Sequence, residues 1–153
     1  MTREEIRQAV ENFMDVILGD HPTDEREMKL YFALDQLAIA FHFADYTFDE
    51  TNYPEAVTRE YSALRSLIRP NFPQLGLYNV VLDINDKVGE CEPAVGDAID
   101  DICDIAGHME EVLWYWENTS IDNALWYFKE PYSWHWGKHL RDLQSYLFEK
   151  LYS

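Results

Sequence analysis

Leu30–Tyr46 reads LYFALDQLAIAFHFADY. Wound as a helix, the stretch is apolar nearly all round, with only Asp35, Gln36, His42 and Asp45 as exceptions. A helix without a polar face is buried on several sides. The stretch therefore predicts a second helix enclosed by the rest of the chain. Asp35 and His42 are seven residues apart, two turns along the same side of it. A buried carboxylate or imidazole must find a partner, so both are candidate site residues.

Outward from that helix the chain reads as helices almost throughout. Thr2 and Glu5 fit a capping box for a first helix ending near Leu18, with Ile6, Val10, Phe13, Met14 and Ile17 as its apolar stripe. Gly19 marks its end. Pro54 suits a first helical position, which predicts a third helix to Arg69 with Val57, Tyr61, Leu64 and Ile68 facing inward. Pro70 ends it. Asn71–Pro93 follows neither the helical nor the strand period. A structureless loop of that length is unusual in a compact domain, so packed structure of undecided type is expected there. A fourth helix is read over Val95–Glu117 and a fifth from Ser120, broken by Pro131. A sixth is read over Tyr132–Tyr152. The expectation is a single all-α domain, an irregular bundle of five to six helices around a buried second helix.

Composition narrows the function. The 153 residues carry a formal charge of −17, which disfavours binding to nucleic acid or to anionic lipid. Val88–Phe128 holds ten Asp or Glu and no Lys or Arg. Such an acidic face suits a basic protein partner, and a non-catalytic interaction module is the first functional reading. The two cysteines, Cys91 and Cys103, match no zinc-ligand spacing, and the charged N-terminus is unlike a signal peptide. No run of 18 apolar residues occurs, so no membrane span is expected. A reducing, cytoplasmic setting fits these features.

The second reading comes from Ala124–Leu140, ALWYFKEPYSWHWGKHL. All five tryptophans lie between Trp114 and Trp136. Trp126, Tyr127 and Phe128 are consecutive on a short helix and cannot all point inward, so Trp126, Tyr127 and Trp134 form a candidate aromatic surface. His135 and His139 are spaced i, i+4, which lets two imidazoles meet one divalent metal ion. Neither HExxH nor a di-iron Glu-x-x-His pair accompanies them. The remaining ligands would come from His108, Asp104, His42 or Asp35, and a metal-bound water would make the protein a metal-dependent hydrolase. Asp100, Asp101 and Asp104 mimic the D-D-x-x-D magnesium motif of prenyl-diphosphate enzymes. The chain is about half the length of those enzymes and lacks their second acidic motif, and the aspartates also suit a helix N-terminus.

Three pieces carry a resemblance: Asp100-Asp101-Ile102-Cys103-Asp104-Ile105, then Ala124-Leu125-Trp126, then His135-Trp136-Gly137-x-His139 opening an aliphatic last helix. In order and spacing they resemble the domain of unknown function 5063 family over roughly Leu75–Leu151. The resemblance implies a small bacterial, cytoplasmic, all-helical protein. It implies no activity and transfers no catalytic residue.

Overall fold

In the computed structural model, which describes residues 1–153, the Thr2 side chain accepts from the Glu5 backbone N–H at 3.1 Å. The Glu5 carboxylate takes the Thr2 N–H at 2.7 Å. This capping box starts α1, Arg3–Leu18. Two side chains satisfy carbonyls at the far end of α1: buried Arg26 donates to Val16 O at 2.7 Å, and Asn71 donates to Ile17 O at 2.8 Å. Helix α2 spans Thr23–Phe43 and α3 spans Tyr61–Ile68, followed by a 3₁₀ turn at Arg69–Asn71. Strands β1, Leu77–Val81, and β2, Pro93–Asp97, pair antiparallel with Tyr78 opposite Gly96. Helix α4 spans Ala98–Asn118 and α5 spans Ile121–Pro131. A π-helical turn at Tyr132–Trp136 leads directly into α6, Gly137–Tyr152. The fold is the expected all-α bundle, with one small hairpin added to it. No helix is long and apolar enough to cross a membrane.

The second helix is only half enclosed. Leu30, Ala33, Leu34 and Leu37 are fully buried, whereas Phe32, Ile39 and Phe43 are more than half exposed. It packs chiefly on α1 and α6. The central position belongs to α4, which touches α1, α3, α5, α6, the π turn and β2. Apolar residues on the outer face of α2 misled the periodic reading, because hydrophobic content does not specify which side is covered.

Two further expectations change. Helix α3 begins at Tyr61 rather than near Pro54, and Val57 is exposed. The preceding segment is held extended by α4 side chains: the Tyr115 hydroxyl takes the Ala56 N–H at 3.1 Å and Glu110 takes the Arg59 N–H at 2.6 Å. Those acceptors compete with the helical hydrogen bonds that residues 54–60 would otherwise make. The undecided stretch holds β1, whereas β2 takes residues 93–97, where the sequence predicts the start of the fourth helix, so that α4 begins only at Ala98. The outward positions Leu77 and Val95 of the hairpin are both 70% exposed. An apolar outer face hides the alternation that normally marks a strand.

Pro131 is the last residue of α5, and the chain stays helical beyond it. Lacking an N–H, it interrupts the α-helical ladder, and the widened turn that follows ends with Gly137 N–H donating to Tyr132 O. Trp136 is fully buried there, and its indole N–H donates to Phe128 O at 3.1 Å. Burial of a ring of that size is worth about 1.5–3 kcal/mol or more. A Cβ on Gly137 would lie 2.4 Å from Tyr132 O, so only glycine fits the turn. A Cβ on Gly107, inside α4, meets nothing within 4 Å. In urea denaturation, Gly137→Ala is expected to destabilise by about 1–3 kcal/mol. Gly107→Ala is expected to stabilise by roughly 0.5–1 kcal/mol. Equal effects at the two sites would contradict the close packing of the turn.

Candidate metal centre

Helix α4 presents Asp101, Asp104 and His108 at i, i+3 and i+7, on the side facing the C-terminal part of the chain. Opposite them, His135 from the π turn and His139 from the first turn of α6 lie with ring centroids 4.9 Å apart. His139 Nδ1 is 2.7 Å from Asp101 Oδ1, and its Nε2 is 3.2 Å from Asp104 Oδ2. His135 Nδ1 is 2.7 Å from His108 Nε2, and its Nε2 is 4.0 Å from the same Asp104 oxygen. Both imidazoles are thus held through Nδ1 and aim Nε2 at one carboxylate. Asp104, His135 and His139 each offer an atom within range of a shared metal ion.

The surroundings set the protonation states. His108 is depressed to about 4 by burial, reinforced by the nearby His135 and His139. A neutral His108 can accept a proton on Nε2 from the His135 Nδ1–H. His139 is raised, first by its hydrogen bond to Asp101 and then by Asp104. Asp101 and Asp104 are both raised by burial, against the pull of the histidines. The other oxygen of Asp101, Oδ2, accepts the Tyr78 hydroxyl of β1. A second grouping of Asp100, Asp101 and His139 lies within ligand range. Its Asp101 oxygens are already engaged by Tyr78 and His139, and Asp100 accepts the Tyr61 hydroxyl of α3.

Of the residues expected from the sequence, His135, His139, His108 and Asp104 come together. Asp35 and His42 do not join them. Asp35 accepts from Gln144 of α6 at 2.8 Å, and His42 is exposed beside Phe41. With α2 at the edge of the bundle, its polar side never reaches the α4–α6 interface. The aromatic surface also divides. Tyr127 stacks on Tyr115 at 4.1 Å with Trp126 against it, near Phe48 and Tyr53. Trp134 is 70% exposed and lies parallel to the His135 ring at 5.8 Å. A depression of about 950 Å³ between α1 and α2 holds none of the convergent residues. Both cysteines are free, and burial pushes the Cys103 thiol up to about 12.

The model of the family described as domain of unknown function 5063 matches residues 29–153. The chain belongs to that family. The match extends past the three pieces that carry the resemblance and takes in α2. The crystal structure of protein BF1032 from Bacteroides fragilis is similar to this family member over 98% of this chain and 92% of that one, with a TM-score of 0.76 and 16% identity. At that identity the likeness speaks for the fold alone. Among curated proteins there is no match.

Asp101 enters the sequence reading only through the acidic D-D-x-x-D run, not as the partner of His139, and Tyr78 escapes it altogether. Asp101 shares the Asp104–His108 face of α4, so helical spacing could have placed it. Tyr78 reaches the centre across a hairpin, for which no local pattern exists.

The acidic run is largely paired within the family member itself. Arg65 meets Asp97 at 2.9 Å, Arg59 meets Glu110 at 2.9 Å and Arg3 meets Asp122 at 2.6 Å, while Arg7 pairs with Glu117. Opposite pH behaviour of the two buried imidazoles is expected in chelator-treated protein. By NMR, His108 is expected to titrate near 4 and His139 above its ordinary 6.5. The His139 contribution to stability is full below pH 6.5 and is lost as pH rises through its folded-state value. The His108 contribution is full above 6.5 and is lost as pH falls towards 4. Two imidazoles titrating together at the ordinary value would contradict this geometry.

Proposed function

We propose that the protein is a metal-dependent hydrolase whose centre binds one divalent ion through His135 Nε2, His139 Nε2 and Asp104. The observation that carries the reading is the pairing of each imidazole, through Nδ1, to a separate acceptor: Asp101 for His139 and His108 for His135. Metal-ligating histidines characteristically donate their far N–H to such a partner, which fixes the tautomer and raises the basicity of the ligating nitrogen. The donor set of two imidazoles and a carboxylate suits zinc in its catalytic form, with three protein ligands and one open position. The ligand side chains are 21–37% exposed, so water reaches the centre. The ion would supply, as nucleophile, a bound water whose pKa is lowered to about 7.

A basic protein partner draws less support. Four carboxylates of the acidic run face arginines of the same chain, and two more face the histidines. Exposed pairs of this kind contribute little stability, but they do neutralise the surface that a partner would read.

Elemental analysis tests the proposal. The expected result is about one equivalent of metal per chain, stripped by chelator and restored by Zn²⁺. Zinc at about a thousand times its Kd is expected to raise Tm by on the order of 10 °C. His139→Ala is expected to abolish both responses. The same ligand set holds iron(II) in oxygenases, so finding iron alone would replace hydrolysis with oxygen chemistry. Metal-free protein whose melting ignores Zn²⁺, Mn²⁺ and Fe²⁺ would leave only a structural His/Asp network and overturn the proposal.

A further inference from the structure

Tyr78 reaches the metal centre from the hairpin and is confined on several sides. Its ring stacks on Tyr146 of α6 with centroids 4.8 Å apart and planes inclined by 20°. Across the ribbon it lies opposite Gly96, where an added Cβ would fall 2.6 Å from the ring carbon that bears the hydroxyl. The ring therefore occupies the space that any larger residue at 96 would need. The base of the hairpin is fastened as well. The Gly76 N–H donates to the Tyr146 hydroxyl at 3.3 Å, and the Ala98 N–H donates to Gly76 O at 3.1 Å. From this held position the Tyr78 hydroxyl donates to Asp101 Oδ2, and Asp101 Oδ1 meets His139 Nδ1.

We infer that Tyr78 is a positioning residue of the metal centre: through the Asp101 carboxylate, the β1–β2 hairpin fixes the rotation and tautomer of His139. The inference rests on the metal reading given above. A carboxylate tethered at one oxygen cannot swing about its Cβ–Cγ bond, so the other oxygen stays aimed at Nδ1. That keeps the His139 proton on Nδ1 and its Nε2 lone pair turned toward Asp104. The centre is thus assembled from α4, the π turn and α6, and completed from outside by a strand. A ribbon with such exposed outward residues adds little to the core. The one large ring it commits to the interior ends on the acceptor of a ligand histidine.

Zinc affinity measured in competition with a chromogenic chelator tests this. Tyr78→Phe keeps the ring between Tyr146 and Gly96 and removes only the hydroxyl. Loss of a ligand histidine's own partner typically weakens metal binding by about 10- to 100-fold; Tyr78 acts one hydrogen bond further out, so a loss at the low end, about 10-fold, is the expected result. Tyr46→Phe removes a tyrosine–carboxylate hydrogen bond elsewhere, to Glu130, and is expected to leave the affinity unchanged. Gly96→Ala displaces the ring while keeping the hydroxyl. It is expected to weaken zinc binding too, and it carries the test if Tyr78→Phe fails to fold. Bound Co²⁺ gives a second readout, since a turned imidazole shifts its visible absorption in Tyr78→Phe. If wild type binds zinc and both variants bind it equally well, with an unchanged cobalt spectrum, the inference is overturned and the metal reading stands. Equal weakening by Tyr46→Phe would reduce the effect to general destabilisation and also overturn it. If wild type binds no metal, both fall.

Discussion

The hydrogen bond between His139 Nδ1 and Asp101 Oδ1, at 2.7 Å, joins α6 to α4 at the only buried carboxylate of the chain. A charge in that position is tolerated only when it is paired, and removing its partner costs about 3–5 kcal/mol. The pairing dictates how α6 must be turned. Adding one residue to a helical turn rotates all that follows by about 100°, and the π turn after Pro131 makes that kind of adjustment. It sends Trp136 into the core while leaving His135 and His139 on the α4 side. π turns inside helices recur at functional sites for this reason. Gly137, whose missing side chain admits Tyr132 O, makes the turn sterically possible.

Within that frame, local rules were readable and long-range ones were not. The capping box at Thr2 and Glu5 fixed the start of α1 because both partners lie within one turn. The spacings of His135 with His139, and of Asp104 with His108, placed four convergent side chains on two helices. Their meeting needed only that the two faces touch. Asp35 and His42, seven residues apart, also share one side of their helix α2, yet that helix lies at the rim. Periodicity shows which residues share a side and says nothing of what that side meets. Pro131 read as a break because the loss of one hydrogen bond is local, whereas the wide turn that repairs the helix depends on Trp136 and Gly137 packing downstream. The hairpin and the true start of α3 were illegible for a related reason. Each is held by side chains distant in sequence, Tyr146 for the one and Tyr115 with Glu110 for the other.

The net charge of −17 takes on a different meaning once folded. Arginines from α1, from the segment before α3 and from α3 itself are spread along the base-free run, so the surface there is mixed in sign. The carboxylates that remain concentrated are Asp100, Asp101 and Asp104 around His139. A field of that sign draws cations toward the imidazoles and repels anionic substrates. Trp134, exposed and parallel to His135, adds an apolar rim beside them.

Anomalous diffraction at the zinc edge, from crystals grown with zinc, tests the central claim most directly. A peak is expected between α4 and α6, about 2.0–2.2 Å from the Nε2 atoms of His135 and His139 and from an Asp104 oxygen. Zinc found only on outlying surface carboxylates, with His139 still bridging Asp101 and Asp104, would contradict it.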